Sequence, residues 1–325
     1  MPFSNEIRAG ASGAQSTSFY DYEIGQSVRV DDASDSQINK NAAFPTATNQ
    51  KKAAISFWFK RSKLGGSTST MYHQAGTSLM IQFDSSDKIY LYDYNQGGDS
   101  GGGWQIVSPE VFRDSSAWYH FCLILDSTQG TAANRAKWYV NGALQDFSTW
   151  TVGGGASRYP AQNTNFSINT GSSLQLSLAG DNTGYFAEYI SIDGQSSSIS
   201  DFGETKDGVW VPKDTSGLTF GANGFRLEFG NTGTATTSEG TTATTNIGDD
   251  SSGQGHNFAV SGIASHDVVL TSPTNTFATL NPLFASASQA VLSEGNLKAA
   301  TAGFSSSAYG YGATSTFAIP KDKKI

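Results

Sequence analysis

The sequence predicts an all-β protein built as an antiparallel β-sandwich. Its 325 residues include 36 glycines, 12% aromatic residues and only 15% charged residues. Helices favour Ala, Leu, Glu and Lys, whereas strands favour aromatic and β-branched residues and are joined by glycine-rich turns. About ten short apolar segments, separated by turn residues without a helical period, are typical of a two-sheet sandwich.

The first strands are predicted from side chains that alternate along the chain. Residues 27–30 alternate, and 55–60 form a strong strand signal. Successive residues of a strand point to opposite faces, so Ile55, Phe57 and Phe59 are expected on one face. Ser56, Trp58 and Lys60 are then expected on the other face.

A hairpin is predicted after this strand, because segments 79–83 and 88–92 flank the polar stretch 84–87. Polar turn residues between two alternating segments favour a reversal of the chain. A glycine-rich loop at 97–103 follows. It does not resemble a phosphate-binding loop, since no helix and no Gly-Lys-Ser/Thr sequence comes after it.

The stretch 117–145 contains a strand at 118–125, a polar loop and a second hairpin. Both faces of the strand are apolar, which predicts a central strand covered on each side. Asn141-Gly142 predicts a type I′ turn, because both central residues of that turn need a positive φ. Three more strands are predicted at 166–168, 174–178 and 185–192.

His120 and the single cysteine, Cys122, alternate with Trp118 along this strand and would share its face. A cysteine beside a histidine could act as a nucleophile with its base. A reactive thiolate, however, needs an accessible and electropositive setting, which this apolar strand does not offer. A buried cysteine next to a hydrogen-bonded histidine is therefore favoured over a catalytic pair.

Four regions are predicted along the chain: an arm at 1–25, the sandwich at 26–205, an extended linker with a small β segment at 206–285, and 286–325. The arm is small and polar before its aromatic end, and a first edge strand is the alternative. Residues 230–255 are almost wholly Gly, Thr, Ser, Asn and Asp, a composition that cannot bury a core. This irregular, β-poor segment leads into either the start of a further β domain or a free tail.

Charge and composition argue against several classes of protein. The net charge is −8 and the isoelectric point is about 4.9, so binding to nucleic acid is not expected. One cysteine cannot form an intramolecular disulfide. The apolar runs stay far below the roughly 20 residues that a membrane helix needs, and no signal-peptide profile opens the sequence. Synthesis in the cytoplasm without membrane insertion is expected.

Several motifs together resemble the laminin-G-like, concanavalin-A-like jelly-roll family. The matching strand carries Trp118 and His120, and the matching hairpin carries Tyr139, Asn141 and Gly142. A closing strand of this type is matched by "AEYISIDG" at 187–194. The resemblance covers about 26–205, and it implies a jelly-roll sandwich in which these five residues identify the fold.

A second resemblance concerns "DFGETKDGVWVPK" at 201–213, "GDDSSGQGHNF" at 248–258 and "TSPTNTFATLNPL" at 271–283. These segments are similar to those that follow such a jelly roll in large virion proteins of marine bacteriophages, before a SPRY-like domain. The resemblance implies a fibre or appendage subunit located in the virion. Its expected partners are other virion proteins of the tail, portal-proximal region or capsid, further copies of itself, as in a trimer, and a glycan of the host surface.

A glycan site would need aromatic rings beside polar groups, because sugars stack on rings and hydrogen-bond at their edges. Tyr92, Tyr94, Asn95 and Trp104 flank the glycine-rich loop and are the candidates. The alternative is that Tyr92 and Trp104 complete the hydrophobic core, as aromatic residues of strands often do.

No cofactor is predicted, but a structural calcium ion is an alternative for the acidic loops. Calcium prefers carboxylate and amide oxygens. Asp93 and Asp99 are the candidate ligands, within a group that also includes Asp84 and Asp87. Solvated acidic loops have the same composition, so the pattern discriminates poorly.

Enzymatic activity is not predicted. Glucanases with this fold place two carboxylates close together on one strand face, and their Glu-x-Asp-x-x-Glu strand has no match here. The nearest pair, Glu188 and Asp193, would face opposite ways on a regular strand. The expected function is a non-enzymatic virion protein; a free carbohydrate-binding module or lectin is the alternative, and a glycan-degrading enzyme comes third.

Overall fold

The computed structural model describes residues 19–65, 68–74, 79–93, 98, 103–171, 173–177, 183–234, 245–284, 290–301 and 312–317. These residues are folded mainly as β-strands that form two eight-stranded sheets and two separate hairpins. The all-β prediction is confirmed. Six short 3-10 helices connect strands, and no helix in the described part of the chain has the length and apolar character to span a membrane.

The strands, in chain order, are β1 Ser27–Val30, β2 Gln37–Lys40, β3 Lys52–Arg61, β4 Ser69–Gln74, β5 Leu79–Phe83, β6 Lys88–Asp93, β7 Trp104–Val111, β8 Tyr119–Asp126, β9 Ala136–Val140, β10 Ala143–Leu144, β11 Thr151–Val152, β12 Leu174–Ser177, β13 Gly184–Asp193, β14 Gly203–Lys206, β15 Val209–Pro212, β16 Phe225–Leu227, β17 Ala259–Ser261, β18 Val268–Val269, β19 Ala290–Ser293 and β20 Lys298–Thr301. The 3-10 helices are Asp32–Ser34, Ala132–Asn134, Phe147–Thr149, Ile199–Asp201, Ser265–Asp267 and Pro282–Phe284.

The first sheet has the strand order β10-β9-β8-β3-β13-β1-β18, and β16 also pairs with β13. Its central strand β3 is antiparallel to both β8 and β13. Ile55, Phe57 and Phe59 point into the main core, while Trp58 belongs to a cluster on the outer face. The alternation predicted for this strand is therefore correct.

The second sheet has the order β11-β7-β6-β5-β4-β12-β2-β17. It includes the predicted hairpin of β5 and β6, whose register pairs Leu79 with Asp93. Alternate residues of these strands, among them Leu79, Ile81, Ile89 and Leu91, are fully buried against the first sheet. One apolar core thus fills the space between the two sheets.

The outer face of the first sheet is covered by chain that follows the sandwich. One apolar cluster joins Cys122 and Ile190 to Phe202 and Phe220, and another contains Trp58 and Trp118. Strand β8 is therefore buried on both faces, as predicted from its composition. The segment 199–220 provides much of this cover and explains why β8 lacks a polar face.

Three strands from beyond residue 205 pair with strands of the sandwich. Strand β16 is antiparallel to β13, β17 to β2 and β18 to β1. Phe225, Leu227, Phe258 and Val260 from this region belong to the main core. The region 206–285 has few strands, as predicted, but it contributes directly to the two sheets.

One strand prediction is wrong. Residues 166–168 form no strand, although Phe166 and Ile168 are buried, because these side chains pack from a loop. Farther along the chain, β15 pairs with the preceding β14, and β16 pairs with β13. The turn at 207–208 has only two residues, so it places β15 directly beside β14.

Both ends of the described chain rest on the sandwich. Of the predicted arm, residues 19–25 are described: Ile24 lies in an outer apolar cluster, and Asp21 accepts a hydrogen bond from Lys206 Nζ at 2.9 Å. Near the other end, the turn between β19 and β20 docks on the first sheet. There Tyr185 Oη donates to the carbonyl oxygen of Gly295 at 2.6 Å.

Candidate functional site

The predicted glycan residues separate into two groups. Trp104 is fully buried in the main core, so it is unable to stack on a sugar and the core alternative is correct for it. Tyr92 is partly exposed on the outer face of the second sheet. Tyr94 and Asn95 lie outside the described residues. Only Tyr92 remains as a described surface aromatic of this group.

Tyr92 belongs to a row of side chains that crosses six strands of the second sheet. The sheet register places these residues side by side and each is partly exposed: Asn39, Gln175, His73, Met80, Tyr92 and Gln105. We call this set the outer row. Neighbouring strands are about 4.8 Å apart, so the row extends over roughly 24 Å.

Hydrogen bonds link members of the outer row in pairs. His73 Nδ1 lies 3.2 Å from Gln175 Oε1, and Tyr92 Oη donates to Met80 Sδ at 2.8 Å. The ring of Tyr92 packs against that of Tyr90, with centroids 4.9 Å apart. These contacts hold the amide, imidazole and phenol groups in fixed positions on the surface.

Of the two predicted calcium ligands, the structure describes only Asp93. Asp93 is fully buried, and Asp99 lies outside the described residues. Asp87, from the same acidic region, instead forms ion pairs with Arg61 at 2.9 Å and Arg113 at 2.6 Å. In the described part of the chain, no group of three or more His, Cys, Asp or Glu residues is arranged to hold a metal ion.

The residues of the family motif meet at one structural junction. The side chain of Asn141 accepts a hydrogen bond from the backbone N–H of His120 at 2.7 Å, and its own N–H donates to the carbonyl of His120. Asn141 and Gly142 both have positive φ, as the predicted type I′ turn requires. The ring of Trp210 packs over His120 and Gly142, next to Tyr139 on β9.

His120 and Cys122 do not form a catalytic pair. His120 Nε2 lies 2.8 Å from Ser56 Oγ, and burial lowers the pKa of the imidazole to about 3. Burial, with Asp201 nearby, raises the pKa of the Cys122 thiol well above its ordinary value. A neutral imidazole and a protonated thiol are unreactive, so both side chains serve packing in the interior, as the core interpretation predicts.

Glu188 and Asp193 face different partners. Asp193 Oδ2 accepts hydrogen bonds from the backbone N–H groups of Thr48 and Asn223. Glu188 lies in a β-bulge with a φ of +42° and points to the other side of the sheet. The two carboxylates are therefore not arranged as a glucanase pair.

Sequence reasoning missed the network around Glu188. Its Oε1 atom accepts hydrogen bonds from Tyr22 Oη at 3.0 Å, Thr215 Oγ1 at 2.8 Å and Arg226 Nη2 at 2.9 Å. Burial raises the pKa of Glu188 although Arg226 opposes the shift. The four residues come from distant parts of the chain, so no local motif could have brought them together.

A comparison with protein families agrees with the sheet architecture. Residues 32–168 match the Laminin_G_3 model, described as the concanavalin A-like lectin/glucanases superfamily. The match covers less than half of the chain and ends before β12. No curated protein matches the sequence.

Several solved structures are similar at low identity. A Bacteroides ovatus ATCC 8483 protein named for carbohydrate binding is 14% identical, with a TM-score of 0.44 over 74% of this chain and 58% of that protein. This chain thus spans less than two thirds of that protein. The heptameric SAP-like pentraxin of Limulus polyphemus is 10% identical, with a TM-score of 0.33 over 55% of this chain and 80% of the pentraxin. Domains LG4-5 of the mouse laminin alpha1 chain are 11% identical, with a TM-score of 0.33 over 55% of this chain and 46% of theirs.

The family match and the face-to-face sheets lead to one conclusion about the core of this protein. Residues 32–168 are similar to the concanavalin A-like lectin/glucanases superfamily, and the strands on either side of that range complete the two sheets of the sandwich.

Proposed function

We propose that this protein is a non-enzymatic glycan-binding module whose binding surface is the outer row of the second sheet. The observation that carries the proposal is the alignment of Tyr92 with polar side chains across six strands. A lectin-like family match over residues 32–168 supports the same class of ligand.

The chemistry of the outer row suits a sugar. The face of the Tyr92 ring offers a surface for the C–H groups of a pyranose, while Gln105 and Gln175 offer amide donors and acceptors for hydroxyl groups. The row is longer than one sugar ring, so an extended oligosaccharide is the expected ligand. The described residues form no apolar cluster over this face, whereas two such clusters cover the outer face of the first sheet.

A glycan array probed with the full chain tests the proposal. Tyr92→Ala is expected to weaken binding at least tenfold, because it removes the ring on which a sugar stacks. Gln175→Ala is expected to weaken it severalfold. The matched control is Gln145→Ala, since Gln145 lies beside β10 on the other sheet and its side chain donates a hydrogen bond to Ala143 of its own hairpin.

The measurement should be accompanied by urea unfolding of each variant, which separates loss of binding from loss of the fold. Binding that is equally strong in wild type and Tyr92→Ala would exclude the outer row as the glycan site. Hydrolysis of any bound glycan would contradict the non-enzymatic part of the proposal.

We also propose that the module belongs to a bacteriophage virion, as a fibre or appendage subunit that brings host glycans to the particle. The segments 201–213, 248–258 and 271–283 support this location through their resemblance to virion proteins. Association of several copies, as in a trimer, and contacts with other virion proteins follow from such a location. Antibodies against the chain should label purified particles, and particles without the chain would contradict the location.

A further inference from the structure

A second candidate site lies on the first sheet, away from the outer row. A cleft of about 370 Å³ opens there, and its size is in the range of small-molecule sites. Its floor and walls come from the N-terminal segment, the bulge of β13 and the region after β16. The lining residues used below are Tyr22, Ile24, Glu188, Glu228, Phe229 and Ile247.

The carboxylate of Glu188 is fixed at the floor of this cleft. Its residue is 3% exposed, and three donors hold its Oε1 atom. The described residues donate no hydrogen bond to its other oxygen, Oε2. Oε2 is not among the buried atoms that lack a partner, so it is open to the cleft that Glu188 lines, and a ligand there could donate a hydrogen bond to it.

The charge around the cleft is unbalanced. Arg226 is the cation of the network, and its two Nη atoms bond to Glu188 and Glu228, each at 2.9 Å. Two carboxylates thus share one guanidinium, and Asp249 and Asp250 add further negative charge to the lining. A group of positive charge would restore the balance.

The walls indicate the kind of cation. Ile24, Phe229 and Ile247 are buried apolar residues at the cleft, and the ring of Tyr22 lies beside them. An aromatic ring attracts a cation over its face, and apolar walls suit a carbon skeleton better than a bare ion. The cleft therefore fits a small organic molecule with a protonated amine.

We propose that this cleft binds an organic ammonium ligand of about the size of one amino sugar, with its ammonium group between Glu188 Oε2 and the carboxylate of Glu228. This site is separate from the outer row and does not depend on it. The ammonium group could come from an amino sugar or from an alkyl amine, and the two sources are distinguished by the choice of probe.

Ligand-observed NMR titration of the full chain tests the proposal with three probes. D-Glucosamine and 1,5-diaminopentane carry ammonium groups, while D-glucose has the ring of glucosamine without its charge. Saturable binding of an amine, at least tenfold tighter than that of glucose, is expected. Saturation by glucosamine alone identifies an amino-sugar site, and saturation by diaminopentane alone identifies an alkyl-amine site.

Three variants connect binding to the cleft. Glu188→Gln removes the charge at the floor and is expected to weaken amine binding at least tenfold. Glu228→Gln changes an exposed rim residue and is expected to weaken amine binding about threefold, as loss of one partly solvated charge contact would. Glu204→Gln, an exposed control on β14, is expected to bind like the wild type.

An affinity for both amines no greater than that for glucose would overturn the proposal, as would the absence of saturation by either amine. Amine binding that is unchanged in both Glu188→Gln and Glu228→Gln would overturn it as well. Since the outer-row variants Tyr92→Ala and Gln175→Ala are expected to keep amine binding, failure of one site is distinguishable from failure of the other.

Discussion

His120 shows how burial alone decides the chemistry of a residue. The same pair of residue types, histidine and cysteine on one strand face, would suit a nucleophile in a polar cleft. Here the imidazole packs against the rings of Trp58 and Trp210, and among the described residues its side-chain hydrogen-bond partner is the hydroxyl of Ser56. The protein therefore keeps this histidine neutral and uses it to connect two strands.

The neutral state of His120 predicts a pH dependence of stability. Its pKa is about 3 in the folded protein and 6.5 in the unfolded chain, so the unfolded state binds the proton more readily. The neutral imidazole therefore contributes its full share to the free energy of unfolding above pH 6.5, and this share is lost as the pH falls toward 3. At pH 4.5 the loss is about 2–3 kcal/mol in the free energy of unfolding.

Urea unfolding of wild type and His120→Gln at several pH values checks this expectation. The variant is less stable at pH 7 because it loses packing, but its stability should fall less steeply between pH 6.5 and 4.5. Other titrating groups are common to both proteins, so the difference in slope reports His120. Parallel slopes would show that the imidazole is not held neutral.

At the scale of elements, two hairpin turns of the same kind have different surroundings. Gly142 joins β9 to β10 with a φ of +76°, and Gly208 joins β14 to β15 with a φ of +80°. A Cβ atom at Gly142 would lie 2.2 Å from a ring atom of Trp210, whereas one at Gly208 would meet nothing within 4 Å. The ring of Trp210, from the β14–β15 hairpin, therefore packs against the turn at Gly142, whereas the turn at Gly208 has open space around it.

Alanine substitutions at these glycines are expected to differ in cost. Gly208→Ala is expected to lower the free energy of unfolding by about 1 kcal/mol, because alanine disfavours the left-handed backbone. Gly142→Ala has the same backbone effect and must also displace Trp210, which adds about 1–3 kcal/mol. Unfolding free energies of the two variants give the difference directly. Equal losses would mean that Trp210 moves aside freely and does not fix the position of the hairpin.

The elements also show the limits of local sequence patterns. Alternation correctly predicted β3, β5, β6, β8 and β13, because the face of each residue is set by the geometry of its own strand. It failed at Phe166 and Ile168, which are buried in a loop, and it could not identify β14 as the partner of β15. Burial of a short apolar segment does not require a strand, and pairing depends on which neighbour is nearer in space.

On the scale of the whole molecule, the sandwich is not complete at residue 205. Seven core residues come from later in the chain: Phe225, Leu227, Phe229, Ile247, Phe258, Val260 and Ile263. Each buried side chain of this size contributes about 1.5–3 kcal/mol. Together they match or exceed the roughly 5–15 kcal/mol by which a domain is stable.

A fragment of residues 26–205 is therefore expected to lose the native fold, and one of residues 19–284 to keep it. The short fragment should show no near-ultraviolet circular dichroism signal and should bind a hydrophobic dye, since it exposes the core face that β16 and β17 cover. The longer fragment should unfold cooperatively. Cooperative unfolding of the short fragment would contradict the structural role of the later strands.

The candidate sites depended on the tertiary structure to different degrees. Sequence reasoning proposed Tyr92 because it flanks the glycine-rich loop, but the other members of the outer row lie up to 136 positions apart in pairs such as Asn39 and Gln175. For Trp104 the sequence left both a sugar-binding and a core role open, because its strand had not been identified and its face was unknown. The cleft around Glu188 had no signal apart from one acidic residue in an apolar strand.

By itself, the sequence determined that this protein is a β-sandwich, where β3, β5, β6, β8 and β13 lie, and which motif joins β8 to the hairpin at Asn141 and Gly142. These properties follow from backbone periodicity and turn geometry, which act over a few residues. Only the tertiary structure decided the order of the strands, the burial of Trp104, the cover over Cys122 and the network at Glu188. Each of these depends on contacts between distant segments, whose free energy is set by the fit of two surfaces and not by either segment alone.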